Sequence, residues 1–187
     1  ATWLGLAVLG LSLGAGLVVA FALRQPPLLD DRRPAAPQRI DQLQTAEQQL
    51  RYATQMLHPS DIERREAALQ AVEQYFPTHR PQVLQSKRQL AWLYLQEHRY
   101  ASADKLFGEL AQSARNNSEL RAWGLAGQAL IAAMRLDSAA FTTAMRALLP
   151  LRGRLESEMK KLLDGAIDEH RHELDPILVN QWSAPSG

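Results

Sequence analysis

From Ile40 onward, apolar residues recur at three- and four-residue steps, the spacing that lays them along one stripe of an α-helix. Leu43, Ala46, Leu50, Ala53 and Leu57 form the first stripe, and Pro59 stops it. Ser60 then has the character of an N-cap, with Glu63 three residues on to complete a capping box. Ala68, Val72 and Tyr75 mark the buried face of the second helix, which Pro77 and Pro81 close. So short a turn between two helices predicts an antiparallel hairpin. Glu156 to Leu174 then supplies a last amphipathic helix, with Met159, Leu162, Leu163 and Ile167 on one side and Glu158, Lys160, Lys161, Asp164 and Asp168 elsewhere. Pro176 ends it in this reading, and the apolar run Ile177 to Trp182 either packs back on the domain or marks a docking peptide or a truncated edge. The expected fold class is all-α.

Ahead of Ile40 the pattern changes. Ala1 to Leu23 carries no charged residue, and a helix of that length spans roughly 34 Å against about 30 Å of bilayer hydrocarbon. Residues 1–23 are therefore expected to be a single transmembrane helix. A cleaved secretory signal is the competing reading, since Ala20-Phe21-Ala22 has the small-x-small form; the length of the apolar run and the lack of a basic n-region favour the anchor. Gly10 and Gly14 form a Gly-x-x-x-Gly on which two such helices can approach closely, which implies a homodimer through this segment. Residues 24–39 hold Pro26, Pro27, Pro34 and Pro37 and read as an extended linker. Its arginines, Arg24, Arg32, Arg33 and Arg39, place the domain in the cytoplasm if no basic residue precedes Ala1. A basic flank lost ahead of Ala1 reverses that orientation, and both readings stand. The plan is thus a bilayer-spanning segment 1–23, a linker 24–39, a helical domain 40–176 and a tail 177–187, a single-pass arrangement of the bacterial inner-membrane type.

Composition narrows the function classes. Of 187 residues, 46% are hydrophobic but only 6% aromatic, as suits closely packed helices rich in Ala and Leu. A net charge of +1 with interspersed signs argues against a nucleic-acid surface. The absence of cysteine removes disulfides, thiolate metal sites and cysteine nucleophiles. There is no Gly-x-Ser-x-Gly, phosphate-binding glycine loop or His-Glu-x-x-His. The densest titratable cluster is Asp168, Glu169, His170, His172 and Glu173. Its histidines are two residues apart and point to nearly opposite sides of a helix, so it reads as a solvated C-terminal turn. No catalytic residue, cofactor or metal ligand is assigned. Asn116-Asn117-Ser118 fits a glycosylation sequon but reads as a turn between helices.

One stretch carries a family pattern. In Leu90-Ala91-Trp92-Leu93-Tyr94 and the run Arg99 to Ala111, Leu90, Ala91, Tyr94, Tyr100, Ala103 and Phe107 fall at the spacing of a tetratricopeptide repeat, which this segment resembles. Lys87 stands where that pattern favours tryptophan and His98 where it favours glycine. A looser copy follows with Trp123, Ala126, Gly127, Leu130, Leu136 and Ala139; Thr143 takes the place of the expected phenylalanine, and Phe141 comes two residues early. The resemblance covers Gln82 to Leu151. It implies a solenoid of about three helix pairs with a capping helix, whose first helices line a groove. By that carry-over Gln85, Arg88, Trp92 and Gln96 stand beside Arg121 and Gln128, the arginines suited to a carboxylate or an extended backbone and Trp92 to an apolar anchor.

The expected function is a membrane-anchored scaffold or assembly factor that binds a protein partner through that groove. The alternative is the C-terminal anchor and sensor domain of a larger signalling protein, of kinase or anti-sigma type, whose effector part precedes Ala1.

Overall fold

The computed structural model describes residues 39–113 and 116–183. The apolar segment 1–23 with Gly10 and Gly14, and the linker as far as residue 38, lie outside them. The chain divides into two units, Ala1–Arg33 and Pro34–Gly187, and every described residue belongs to the second. Among the described residues the fold is all-α: eight helices packed antiparallel, no strand, and no helix long and apolar enough to cross a membrane.

Helix α1 (Ala46–Arg51) runs into a π-helical turn at Tyr52–Met56. It starts later than the apolar stripe suggests because residues 40–43 are engaged elsewhere. The Tyr75 hydroxyl donates to the Ile40 carbonyl at 2.8 Å, and Leu43 N–H donates to Gln49 Oε1 at 2.9 Å. Thr45 caps α1 through its hydroxyl, which accepts from Gln48 N–H. Helix α2 (Ile62–Tyr75) is preceded by Asp61 in the N-cap position, not Ser60. The Ser60 hydroxyl lies 2.7 Å from His58 Nδ1, so the expected capping box does not form.

Helix α3 (Arg80–Gln96) carries Pro81 in its first turn, where a missing N–H costs no helical bond; this proline opens a helix instead of closing the one before. Helix α4 (Tyr100–Ser113) follows. Asn117 then caps α5 (Ser118–Met134) by accepting from Leu120 N–H at 3.0 Å, and Asp137 caps α6 (Ser138–Leu148) by accepting from Ala140 N–H at 3.0 Å. The α3–α4 and α5–α6 turns share one geometry. His98 and Leu136 lie in the left-handed region at φ 57° and 56°. In each case the next residue's N–H reaches back across the turn, Arg99 to the Tyr94 carbonyl at 2.8 Å and Asp137 to the Ala132 carbonyl at 2.9 Å. Glycine would adopt these two positions without strain; the histidine and leucine hold them against a cost of about 1 kcal/mol each.

Helix α5 is buried nearly all round and forms the centre of the domain, packed by α4, α6 and α7 (Ser157–Glu169), with a 3₁₀ turn at Leu149–Arg154 between the last two. Phe107, Phe141, Leu110 and Met145 are completely covered in this core. Helix α7 ends at Glu169, five residues short of Leu174, and His170 and His172 fall in the turn beyond it. Pro176 does not end α7 but begins α8 (Pro176–Ser183), which buries Leu178, Val179 and Trp182. Trp182 Nε1–H donates to Asp164 at 2.7 Å, while the Arg152 and Lys160 cations lie 5.2 and 5.8 Å from the centres of its rings. Of the two readings of the apolar tail, the structure has it packed back.

A polar brace ties α2, α3 and the α3–α4 turn. The Tyr94 hydroxyl donates to Glu66 Oε1 at 2.7 Å, Arg99 donates to Glu66 Oε2 at 2.6 Å, and the Arg99 guanidinium stacks 4.2 Å from the Tyr94 ring centre. Burial, then the hydrogen bond and charge of Glu66, push the Tyr94 hydroxyl up to about 12. A raised phenol favours the protonated form in the fold, so its contribution is whole below about pH 10 and is lost as pH rises through 12. In a spectrophotometric titration of the four tyrosines, Tyr94→Phe is expected to remove a component titrating near 12 and the matching alkaline loss of stability. An unchanged titration curve in that variant would refute the assignment.

Lys87, where the repeat pattern favours tryptophan, makes a second brace. Its ammonium sits 3.0 Å from Glu73 of α2 and 2.7 Å from Glu109 of α4. Burial pulls its pKa down, but the hydrogen bonds and charges of Glu109 and Glu73 outweigh this and hold it above its ordinary value.

Candidate functional site

The helices α3, α5 and α7 meet at a cleft of about 120 Å³ lined by Arg88, Gln89, Trp92, Trp123, Glu156, Glu158 and Met159. One helical turn separates Arg88 from Trp92 on α3, so both face the same side. Trp123 comes from the first turns of α5. Its ring packs on Phe107 at a centroid distance of 4.9 Å, which holds it against the core, and stands 6.4 Å from the ring of Trp92. Trp123 is buried and Trp92 half-buried, so Trp92 offers the accessible aromatic surface.

Arg88 lies over the Trp123 ring, 5.2 Å from its centre, and pairs with the Glu156 carboxylate. The guanidinium side chain retains 20% of its exposure and that of Glu156 38%. Stacking removes water from one face of the guanidinium while leaving its donors in plane for a carboxylate, a combination lysine does not offer. Met159 is fully covered beside them and contributes apolar surface to the floor. The cleft presents an aromatic surface, a cation lying over an indole and two carboxylates.

Of the six groove residues expected from the sequence, the structure brings Arg88 and Trp92 together in this cleft. Gln85, half-buried, and Gln96, exposed, share the Trp92 stripe of α3 but do not line the cleft. Arg121 and Gln128, seven residues apart, share a face of α5 turned about 150° from Trp123. Arg121 is exposed. Gln128 instead lines a second trough of about 270 Å³, with Asp104 of α4 and Leu125, Ile131, Ala132, Arg135, Ala140 and Ala144 among its other walls. Arg135 approaches Asp104 at 3.6 Å there. Burial raises the Asp104 carboxyl above its ordinary value, Arg135 opposes that and Asp137 reinforces it.

The rotation of α5 has a local cause. Gly124 and Gly127 turn toward α4: a Cβ on Gly124 would stand 2.7 Å from the Phe107 carbonyl oxygen, and one on Gly127 would stand 2.2 Å from the Phe107 ring. With these glycines against α4, Gln128 follows them and Trp123 swings to α3. Trp123, Gln89, Glu156, Glu158 and Met159 were not among the sequence candidates. Glu156 is 68 residues from Arg88, and nothing in either local pattern signals their pairing.

The acidic and histidine cluster at the end of α7 is spread over its last turn and the turn beyond. Among the described residues no three His, Cys, Asp or Glu side chains stand close enough to hold a metal ion.

No protein-family model matches the chain, and comparison with curated proteins and with solved structures likewise gives no match.

Proposed function

We propose that the protein is a membrane-anchored interaction module of tetratricopeptide-like build, in which residues 1–23 hold the chain at the bilayer and the helical domain binds a segment of a partner protein. The observation that carries this reading is the cleft between α3, α5 and α7, where the half-buried Trp92 adjoins the stacked Arg88. Aromatic and arginine side chains in a concave site dominate protein recognition because they lose little conformational freedom for the area and hydrogen bonds they contribute. The paired helices α3–α4 and α5–α6, with matching left-handed turns at His98 and Leu136, support the repeat reading. In this reading the domain has no catalytic role.

A photoreactive benzoylphenylalanine in place of Gln89, on the cleft wall, tests the proposal in native membranes. A discrete adduct is expected that weakens about 30-fold in a Trp92→Ala or Arg88→Ala background, the scale of a hot-spot side chain. The same probe at exposed Lys161 is expected to give none. Equal adducts from both positions, indifferent to Trp92 and Arg88, overturn it.

A further inference from the structure

Two extended residues, Leu155 and Glu156, connect the 3₁₀ turn to α7, and Glu156 lines the cleft. Leu155 has φ −81° and ψ 132°, and Glu156 has φ −62° and ψ 146°. Glu156 holds the N-cap position of α7, yet its carboxylate bonds none of the helix's free amides. It reaches instead to Arg88, four-fifths covered and stacked on Trp123. An extended Leu-Glu with its carboxylate on a stacked arginine, beside a tryptophan with exposed surface, has the form of a bound peptide supplied by the chain itself.

We infer that the cleft takes an extended acidic segment of the partner, whose carboxylate replaces Glu156 on Arg88, and that Glu156 is the internal competitor that keeps the empty site closed. The chemistry of Arg88 sets the class. A guanidinium desolvated on one face by an indole must be matched by an anion, and a planar carboxylate matches its paired donors. The exchange is close to balanced. A displaced Glu156 remains at the N-terminus of α7, where a carboxylate is favoured by the free amides and the helix dipole. Trp92, half-buried on the cleft wall, then offers apolar surface to the residue next to the incoming carboxylate. A cationic segment fits less well, because Arg88 is part of the cleft lining and the remaining carboxylate, Glu158, is exposed to water.

The inference rests on the proposed function, but the two fail separately. A photo-adduct at Gln89 with no selectivity for acidic peptides leaves the interaction module standing and removes only the acidic class. The probes are two fluorescein-labelled tetrapeptides, acetylated Arg-Leu-Glu-Ser, which copies residues 154–157, and its counterpart with glutamine in place of glutamate. Each is titrated against the full chain in detergent by fluorescence anisotropy.

Glu156→Gln is expected to bind the glutamate peptide about tenfold tighter than the unaltered protein, because the internal competitor is neutral and the peptide's carboxylate meets a free Arg88. The glutamine peptide is expected to bind both forms at least tenfold more weakly than the glutamate peptide binds Glu156→Gln. Adding Arg88→Gln to Glu156→Gln is expected to abolish the difference between the peptides, with Arg88→Lys giving partial retention and far-UV circular dichroism confirming that each variant keeps its helices. Equal binding of the two peptides, or no gain on Glu156→Gln, overturns the inference.

Discussion

Gly124→Ala is expected to destabilise the domain by about 3 kcal/mol, although alanine is favoured over glycine in a helix interior by about 1 kcal/mol. The added methyl would stand 2.7 Å from both the Phe107 carbonyl oxygen and the Ala111 nitrogen. These are backbone atoms of α4, so the two helices must separate along their whole contact to admit it. Gly127→Ala meets a different obstacle, the Phe107 ring at 2.2 Å. Because that obstacle is a side chain, Phe107→Leu is expected to recover part of the loss in Gly127→Ala and none of it in Gly124→Ala. Urea unfolding followed by circular dichroism measures both as a shift in midpoint at unchanged slope. Stabilisation by either alanine would show that α4 and α5 do not approach this closely. The same variants bear on the candidate site, since the approach of these helices sets the rotation of α5 that turns Trp123 toward Trp92.

Phe141→Ala is expected to cost about 3–5 kcal/mol, the scale for emptying a filled aromatic site, while Thr143→Ala stays within about 0.5 kcal/mol. Phe141 is completely buried; Thr143 is exposed, its hydroxyl bonded to the Ala139 carbonyl one turn back at 2.9 Å. The spacing of the repeat pattern asks for the phenylalanine at 143. The structure uses the one two residues earlier and leaves Ala139 and Ala140 exposed. Comparable losses from the two variants, again read by urea midpoint, would indicate that α6 sits in the register of the pattern instead.

The same contrast explains how much of the candidate site was legible. Arg88 and Trp92 lie four residues apart on one helix, and local periodicity alone puts them on one face. Arg121 and Gln128 also share a face by periodicity, and they do in the structure, but which neighbour that face meets depends on Gly124 and Gly127 against Phe107. Glu156 lies beyond reach of any local rule, because its partner is on another helix 68 residues away. Proline showed a similar limit. Pro81 and Pro176 break the pattern as helix stops do, yet each sits at the start of a helix, where its fixed φ and missing N–H are equally at home. Ser60 had the residue type of a cap, and a nearby histidine took its hydroxyl.

The sequence by itself determined the all-α class, the approximate positions of α2 and α7 from helical periodicity and prolines, those of α3 to α6 from the spacing of the repeat pattern, and the turn at Asn117, because such signals act within a few tens of positions of one another. Only the tertiary structure decided which faces meet: the rotation of α5, the burial of Phe141, the fastening of the apolar tail by Trp182 and Asp164, and the pairing of Glu156 with Arg88. Those outcomes rest on steric fit between helices and on ion pairs across dozens of residues. Such contacts leave no period in the chain, since their free energy depends on where distant atoms come to lie and not on what precedes or follows each residue.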